Sequence, residues 1–495
     1  MRNIVVVNQP KHWPLDLPGV EVVAVRAYLG DPEWSRVRRV RVFNMCRSYR
    51  YQSAGYYVSL LAEARGHKPL PGVMTIQDLK SQTMVRFVSD ELIELIQKSL
   101  RPIQGDRFVL SIYFGRNTAR RYDRLSRKLF AQFRAPLLRA HFLRGAGGWG
   151  LQSIGPIPAG EVPESHRDFV GRVAREYFEG RRSELAPGRE TRFDLAILRN
   201  SEEKFPPSDE KAIRAFVKAA EQLDFYVEQI GREDYARLAE FDALFIRETT
   251  SVNHHTYRFA RRAAAEGLVV IDDPESILRC TNKVYLAELL QRNRIPAPST
   301  IILGEGQEER LEREIGFPCI LKQPDSSFSQ GVVKVDARED LQPALERLFD
   351  KSELLIAQEF LPTEYDWRVG VLNRQPFYAC RYFMARKHWQ IYEQHASGRV
   401  FAGRAEAVPV EEAPPEVIET ALAAANLIGD GLYGVDLKLT GGKVYVIEVN
   451  DNPSIDSGCE DACLGEELYR RVMEEMLRRV EQKKERSTRS RNGAP

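Results

Sequence analysis

Polar side chains on two neighbouring predicted strands near the C-terminus offer three oxygen ligands for a cation. Glu448 and Asn450 are two residues apart on one strand, so their side chains lie on one face, and Asp436 lies on the preceding strand. Two carboxylates and an amide oxygen suit Mg²⁺, which prefers oxygen ligands. Polar residues that face water would alternate in the same way. The magnesium interpretation is favoured because both carboxylates lie in otherwise apolar strands, where an unpaired charge is costly.

Two lysines earlier in the chain could contact phosphates. Lys283 begins a predicted helix, where its ammonium group and the helix N-terminus could share one phosphate. Lys322 ends the apolar strand 319–321 and precedes the loop 325–332, whose hydroxyl side chains and backbone amides could meet phosphate oxygens. A solvated lysine and an ordinary hairpin turn are the respective alternatives.

A further segment could bind a nucleoside. The apolar strand 354–357 leads into residues 358–361, and Glu364 follows. Backbone groups at such a strand end can pair with an adenine edge, and a nearby carboxylate can hold ribose hydroxyls. An exposed strand end would show the same pattern. The order of all these segments after Pro274 favours a nucleoside triphosphate site over the separate alternatives.

Apolar runs alternate with amphipathic stretches along the chain, which predicts the α/β units that position these residues. Residues 1–190 are predicted to form an N-terminal α/β domain, with a glycine-rich turn at 145–150 and a linker near 181–188. Its predicted strands lie near residues 4–8, 20–25, 37–43 and 108–113, and its predicted helices near 56–64, 91–100, 124–133 and 166–178.

Three more segments complete the predicted domain organisation. Residues 191–275 have the order βαβαβ, which predicts a small parallel sheet. Residues 276–480 carry the polar segments described above. The charged residues 481–495 are predicted to form a disordered tail.

This ordered set of motifs resembles the ATP-grasp superfamily, and specifically the RimK-like carboxylate-amine ligases, over about residues 193–480. The resemblance rests on residues 282–283, 320–324, 358–361, 434–437 and 448–450, on the serine-rich loop, and on Asp366 with Arg368. Residues 1 to about 190, particularly 42–53, resemble the N-terminal domain that accompanies some RimK-like proteins. The implied fold is α/β and α+β, with an N-terminal α/β domain, a small parallel-sheet pre-ATP-grasp domain and a C-terminal ATP-grasp domain.

The resemblance also implies roles for individual residues. The residues that would contact ATP are Lys283, Lys322, Ser326, Ser327, Ser329, Gly331, Gln358, Glu359, Leu361 and Glu364. Asp436, Glu448 and Asn450 would hold two Mg²⁺ ions, with Mn²⁺ as an alternative metal. The cations near the acyl phosphate or the substrate carboxylate would be Arg368 and Arg381, with Arg386 as a further substrate-binding candidate. Related loops have a glycine on each side, where this chain has Asp325 and Phe328.

The implied enzyme is an ADP-forming acid–amino-acid ligase. A substrate carboxylate attacks the γ-phosphorus of ATP to give an acyl phosphate, and an amine displaces phosphate to form an amide. The amine or acid belongs to an amino acid such as glutamate, and the acceptor is a peptide, a protein or a small molecule that carries a carboxylate. The alternatives are a kinase that uses the same ATP site on a hydroxyl group, and a non-enzymatic nucleotide-binding or RNA-binding regulator. A homo-oligomer is a further expectation, and no nucleic-acid partner is expected because no RNA-binding motif accompanies the basic charge.

Length and composition agree with a multi-domain globular enzyme. The chain has 495 residues, of which 43% are hydrophobic and 29% are charged, with a net charge of +2. These values exclude disordered, collagen-like and disulfide-scaffold classes. The apolar run 4–7 is too short for a secretory signal, and no run approaches a membrane span. We therefore expect a cytoplasmic protein without a membrane partner, whose six cysteines are reduced thiols.

The N-terminal part is basic, and one segment of it could bind an anion. Arg47 and Arg50 follow a predicted strand and precede a predicted helix, so they could recognise an acidic part of the acceptor substrate. Docking onto the acidic ligase half is the alternative for these arginines. Cys46 could be a nucleophile, but a lone thiol beside an apolar strand is more often a small buried hydrophobic residue.

Overall fold

The computed structural model describes residues 2–13, 20–37, 40–79, 90–145, 147–179, 191–325, 331–350, 352–385, 389, 392–394 and 400–492. The chain forms two compact units: residues 1–189 with 234–240, and residues 190–233 with 241–495. The further division predicted at residue 275 stays a prediction. Among the described residues, no helix combines the length and the apolar character needed to cross a membrane.

The first unit contains one parallel and one antiparallel sheet. Its strands are β1 (Arg2–Val7), β2 (Glu21–Ala24), β3 (Val40–Asn44), β4 (Lys68–Leu70), β5 (Arg107–Tyr113), β6 (Leu137–Gly145) and β7 (Gly148–Pro156). Its helices are α1 (Val25–Gly30), α2 (Ala54–Arg65), α3 (Val73–Asp78), α4 (Asp90–Leu100), α5 (Asp123–Gln132) and α6 (Glu164–Glu179). The strand orders are β2-β1-β3-β4, all parallel, and β5-β6-β7, all antiparallel.

Strand β1 shows why the apolar run near the N-terminus forms the centre of a sheet. Val5 and Val7 lie in one apolar cluster of this unit, whereas Ile4 and Val6 lie in another. Since neighbouring side chains of a strand point to opposite faces, both faces of β1 are buried. A continuous apolar run therefore replaces the alternation of a half-exposed strand.

One buried carboxylate neutralises several arginines of the first unit. Glu240 ends the 3-10 helix Arg232–Glu240, and only 8% of it is exposed. It accepts a hydrogen bond of 2.8 Å from the Tyr177 hydroxyl, and its carboxylate lies 3.4 Å from Arg41 and 3.6 Å from Arg134. Burial favours the neutral acid, but the arginines outweigh this effect and lower the pKa of Glu240 to about 2. The carboxylate is therefore ionised and charge-paired.

The second unit contains the remaining sheets. Its strands are β8 (Phe193–Leu198), β9 (Phe225–Ile230), β10 (Ala243–Ile246), β11 (Val269–Ile271), β12 (Thr300–Gly304), β13 (Cys319–Lys322), β14 (Val332–Val335), β15 (Leu354–Glu359), β16 (Tyr365–Leu372), β17 (Gln375–Phe383), β18 (Tyr392–Gln394), β19 (Val400–Ala402), β20 (Ala405–Val408), β21 (Leu432–Thr440) and β22 (Lys443–Asp451). Its helices are α7 (Glu210–Gln222), α8 (His255–Ala265), α9 (Pro274–Thr281), α10 (Lys283–Arg292), α11 (Glu308–Glu314), α12 (Leu341–Phe349), α13 (Pro415–Ile428) and α14 (Glu466–Asn492).

The predicted βαβαβ segment forms a parallel sheet in the order β11-β10-β8-β9. Every residue of β8 is buried, as expected for a central strand covered on both faces. Helices α7 and α14 cover one face, where Phe216 and Val472 join the same apolar cluster as Leu195.

Two antiparallel sheets carry the predicted site residues. One has the order β12-β15-β13-β14 and the other β20-β17-β16-β21-β22. In the second sheet, Asp436 lies opposite both Arg368 of β16 and Glu448 of β22. The pairing of β21 with β22 is irregular after Asp436, so Leu437 lies opposite Val446. This bulge lets Val446 and Val449 both pack into the core while Glu448 lies between them, outside the core cluster.

The structure has a helix over most of the segment that was predicted to be a disordered tail. Helix α14 continues to Asn492, and only residues 493–495 lie outside the described chain. The segment after residue 480 is rich in Glu, Gln, Lys and Arg, which favour helices, and the first glycine comes at position 493. This charged segment extends a helix whose earlier turns pack into the core through Leu468, Val472 and Met476.

We predict that Glu240→Gln destabilises the first unit by about 3 kcal/mol at neutral pH, because it leaves buried arginines without a counter-charge. The ionised carboxylate stabilises the fold above its unfolded-state pKa, near 4.3, and this contribution is lost as pH falls towards 2. The difference in the free energy of unfolding between variant and wild type should therefore shrink as the pH falls from about 4.3 towards 2. Hydrogen exchange of peptides containing Arg41 or Arg134 measures this difference at each pH.

Asp234→Asn is the matched control, since Asp234 pairs with Arg237 at a more exposed position. Equal exchange rates in Glu240→Gln and the wild type at neutral pH would contradict the stabilising role of Glu240.

Candidate functional site

A cavity of about 350 Å³ in the second unit is lined by residues from both antiparallel sheets, a size suited to a small-molecule ligand. The predicted site residues that line it are Lys283, Lys322, Gln358, Glu359, Leu361, Arg368, Asp436, Glu448 and Asn450. Segments that are up to about 170 residues apart in the sequence thus meet at one place.

The strongest charge pair of the cavity joins two neighbouring strands. The Arg368 guanidinium donates two hydrogen bonds to the Asp436 carboxylate, of 2.6 Å from Nε and 2.8 Å from Nη2. Burial disfavours the charge of Arg368, but Asp436 outweighs burial, so the pKa of Arg368 is raised above its usual value. This bidentate pair supplies a counter-charge to the Arg368 guanidinium and fixes the orientation of both side chains.

A second charge pair joins helix α10 to strand β22. Asn282 caps the helix by accepting a hydrogen bond of 3.0 Å from the Tyr285 amide, which places Lys283 at its first position. Lys283 Nζ lies 2.7 Å from Glu448 Oε1. Burial alone would raise the pKa of Glu448, but Lys283 and Lys322 lower it below its usual range. Glu448 is therefore a carboxylate at neutral pH.

The three predicted oxygen ligands lie together and fit Mg²⁺ by their chemistry. Asn450 Nδ2 donates a hydrogen bond of 3.1 Å to Asp436 Oδ2, and Glu448 is the cross-strand neighbour of Asp436. Two carboxylates and one amide are hard donors of the kind that Mg²⁺ prefers. The bulge in β22 presents Glu448 on the same side as these two residues.

Lys322 differs from the other cations because its nearest polar partner is neutral. Its Nζ donates a hydrogen bond of 2.8 Å to Gln358 Oε1, and the Gln358 amide in turn donates one of 2.9 Å to Thr300. Burial lowers the pKa of Lys322 to about 8, and the nearby cations Lys283 and Lys438 also lower it. An anion bound in the cavity would stabilise the charged form.

Lys438 also lines the cavity, although the sequence analysis did not select it. Its Nζ donates hydrogen bonds of 2.6 Å to Asp366 Oδ1 and 2.7 Å to Thr363 Oγ1. Burial raises the pKa of Asp366, and the contact with Lys438 opposes that rise. The signal was present in the sequence, because Lys438 follows Asp436 by two residues on the same strand and shares its face.

The segment after β10 is a second part of the cavity wall that sequence reasoning missed. Residues 249–251 line the cavity, and Arg247, just before them, is 1% exposed. The Arg247 guanidinium donates hydrogen bonds of 2.7 Å to Asn452 Oδ1 and 2.9 Å to the Pro453 carbonyl. A polar segment at the carboxyl end of a parallel strand was the available signal.

Several predicted residues do not line this cavity. Glu364 is exposed, and Gly331 lies beside the lining residue Val332. The Arg381 guanidinium lies 5.3 Å from the centre of the Tyr365 ring and 5.0 Å from that of the Trp367 ring. Ser326, Ser327, Ser329 and Arg386 lie outside the described residues. The roles suggested for all of these residues stay predictions.

The predicted anion-binding segment lies in the first unit. Arg47 and Arg50 are exposed, and the N-terminus of α2 is capped by Ser53, whose hydroxyl accepts a hydrogen bond of 3.3 Å from the Tyr56 amide. Cys46 is 2% exposed, and burial raises the pKa of its thiol to about 12. Such a thiol is protonated at neutral pH, which argues against Cys46 as a nucleophile. Acceptor recognition by the arginines stays a prediction.

Two segments of the chain match family models. Residues 25–173 match the family model described as RimK-like ATPgrasp N-terminal domain, and residues 280–454 match an ATP-grasp domain model. The RimK-like ATP-grasp resemblance predicted from the motifs is confirmed, and so is the mixed α/β fold with an ATP-grasp domain.

Curated relatives and solved structures are similar over about half of the chain. A probable alpha-L-glutamate ligase from Aliivibrio fischeri (strain MJ11) is 25% identical over 231 residues, which are 46% of this chain and 73% of that protein. The alpha-aminoadipate–LysW ligase LysX of Sulfolobus acidocaldarius is 26% identical over 252 residues, which are 49% of this chain and 84% of that protein. A D-alanine–D-alanine ligase structure from Bacillus anthracis has a TM-score of 0.47 and 15% identity, and the match covers 59% of this chain and 99% of that chain.

We predict that Lys322→Met weakens ATP binding about 10- to 100-fold at neutral pH, the loss expected for one desolvated charged contact. Since the pKa of Lys322 is about 8 and a bound polyphosphate would raise it, wild-type affinity should fall as pH rises above about 8. In the variant that dependence should be absent. Calorimetric titration with ATP between about pH 7 and pH 9 measures both effects.

Lys443→Met, at an exposed position on β22, is the control and should bind ATP like the wild type. Wild-type affinity in Lys322→Met, with an unchanged pH profile, would remove Lys322 from the nucleotide site.

Proposed function

We propose that this chain is an ATP-dependent ligase that joins a carboxylate to an amine through an acyl phosphate. The observation that carries the proposal is the meeting of Lys283, Lys322 and Arg368 with Asp436, Glu448 and Asn450 in one cavity. The ligase class also agrees with the names of the relatives. No protein nucleophile is needed, since the substrate carboxylate itself attacks the γ-phosphorus.

The cations of the cavity bind and orient the nucleotide in this proposal. Lys283 and Lys322 contact phosphate oxygens, and backbone groups of Glu359 and Leu361 hold the adenine edge. When phosphate replaces the Glu448 carboxylate as the partner of Lys283, Glu448 becomes available to a metal. Asp436, Glu448 and Asn450 would hold two Mg²⁺ ions, or Mn²⁺ in their place. The metal would offset negative charge on the transferred phosphoryl group.

Arg368 stabilises negative charge where the acyl phosphate forms. In the first step, a carboxylate oxygen forms a bond to the γ-phosphorus while the bond to ADP breaks. In the second step, the amine forms a bond to the acyl carbon, phosphate leaves, and the amine loses a proton. Electrostatic stabilisation by positioned cations accounts for the protein's part in both steps.

The substrates are proposed to be an amino acid and a peptide, protein or small acceptor with a carboxylate. The support is chemical and comparative: the relatives are named for glutamate and aminoadipate, both acidic amino acids. A cytoplasmic location is proposed with them, since the reaction consumes ATP.

An ADP-release screen of amino acids and acidic peptides tests the proposal, with mass spectrometry of the products. A ligase forms ADP and free phosphate only when acid and amine are both present, and its product equals the two substrates minus water. A phosphorylated product would instead identify a kinase, and the ligase proposal would fail.

Asp436→Asn and Glu448→Gln should each lower the rate of ADP formation at least about 100-fold, because positioned charges at the reacting phosphate contribute on that scale. Each substitution also removes the counter-charge of Arg368 or Lys283, so thermal unfolding is measured in parallel and the rates are compared at a temperature where both variants are folded. Glu346→Gln on the exposed face of α12 is the control. Near-normal turnover in either site variant would show that its carboxylate is structural.

A further inference from the structure

Three side chains next to the cavity wall could bind a metal ion, separately from the oxygen ligands described above. Glu248, His254 and His255 each present one ligand atom, and these atoms all lie within 4.8 Å of one another. Glu248 follows the end of β10 by two residues, His254 precedes helix α8, and His255 is its first residue. The loop between β10 and α8 thus has both of its ends at this cluster.

Two atoms of the cluster are buried without hydrogen bonds. Glu248 is 2% exposed and His255 is 9% exposed. Glu248 Oε2 and His255 Nε2 have no hydrogen-bond partner within the described ranges of the chain. His255 Nε2 lies 3.0 Å from Glu248 Oε1. Since buried polar atoms are normally satisfied, one Glu248 oxygen and one His255 nitrogen left without hydrogen bonds, on side chains in contact with each other, point to a cation that they could share.

The second histidine is oriented as a ligand would be. His254 Nδ1 lies 3.1 Å from the Thr256 hydroxyl oxygen, which fixes the ring and leaves Nε2 for another partner. An imidazole that is held through one ring nitrogen can present the other nitrogen to a metal ion.

We propose that Glu248, His254 and His255 bind a divalent transition-metal ion such as Zn²⁺. Two imidazoles and one carboxylate form a three-ligand set that leaves one coordination position open. Nitrogen donors favour Zn²⁺ over Mg²⁺, so this site differs in chemistry from the oxygen set of Asp436, Glu448 and Asn450. His254 is only partly buried, so an ion from solvent can reach the three ligands.

The surroundings of the cluster are compatible with a bound cation. Glu203 accepts a hydrogen bond of 3.2 Å from the Thr249 amide, directly after Glu248. A cation held by Glu248, His254 and His255 would fix both ends of the loop whose residues 249–251 line the cavity.

Metal binding by the full chain tests this proposal directly. The protein is freed of metal with a chelator and titrated with Zn²⁺ alone, and the bound metal is counted by elemental analysis. The double variant Asp436→Asn/Glu448→Gln serves as the background, because it removes the competing oxygen ligands, and circular dichroism first establishes that it is folded without the counter-charges of Arg368 and Lys283. In this background we expect one equivalent of Zn²⁺. Adding His254→Asn or Glu248→Gln should weaken that binding at least about 100-fold, since one of three ligands is lost.

Two controls separate this cluster from other zinc ligands. His141→Asn changes a partly buried histidine of the first unit, and Cys463→Ser removes an exposed thiol. Neither should alter the titration. The absorption spectrum of the Co²⁺-substituted protein should show nitrogen and oxygen ligands in tetrahedral geometry.

Three results would overturn the proposal: no Zn²⁺ equivalent in the background variant, unchanged affinity after His254→Asn, or loss of binding with Cys463→Ser. The contact between His255 and Glu248 would then be an ordinary ion pair. Because the measurement uses metal binding and not catalysis, its outcome is independent of the proposed ligase reaction.

Discussion

The cavity depends on charge pairing between side chains that burial would otherwise neutralise or expel. A buried ion without a partner costs several kcal/mol, so each charged group needs a counter-charge in a fixed position. Two of the ion pairs join β16 to β21: Arg368 with Asp436, and Lys438 with Asp366. The third, Lys283 with Glu448, joins α10 to β22. These ion pairs join the strands and the helix that carry the candidate site residues. The same pairing therefore stabilises these elements and fixes the orientation of the charged groups in the cavity.

Lys322 stands apart in this network because its contact is the neutral amide of Gln358. Its charge is opposed by burial and by neighbouring cations, whereas Glu448 supports it. A polyphosphate would add to the support that Glu448 gives and would further stabilise the charged form of Lys322. The site therefore combines cations that are paired with carboxylates and Lys322, whose hydrogen-bond partner is a neutral amide.

The sequence predicted those features that periodicity and strand order determine, and it missed those that need tertiary proximity. The strands from β8 to β10 and the shared face of Glu448 and Asn450 follow from local patterns. The β6–β7 hairpin was missed, because its glycine-rich turn was recognised without the strands on either side. The register that sets Arg368 against Asp436, and the bulge at Glu448, depend on packing across the sheet. The cluster of Glu248 with His254 and His255 requires a loop to fold back on itself, which spacing alone does not reveal.

Arg247 explains why a parallel sheet belongs beside an ATP-grasp domain in this unit. Its guanidinium lies just beyond the end of β10 and donates hydrogen bonds to Asn452 and Pro453, which follow β22, and to the Ser208 hydroxyl. Burial lowers the pKa of Arg247 only to about 10, so it remains a cation at neutral pH. A charged group with this many fixed acceptors allows little sliding between the two segments. These contacts hold the start of the loop 249–251 beside the end of β22, and both segments line the cavity. The end of the parallel sheet therefore contributes residues to the same cavity as the two antiparallel sheets.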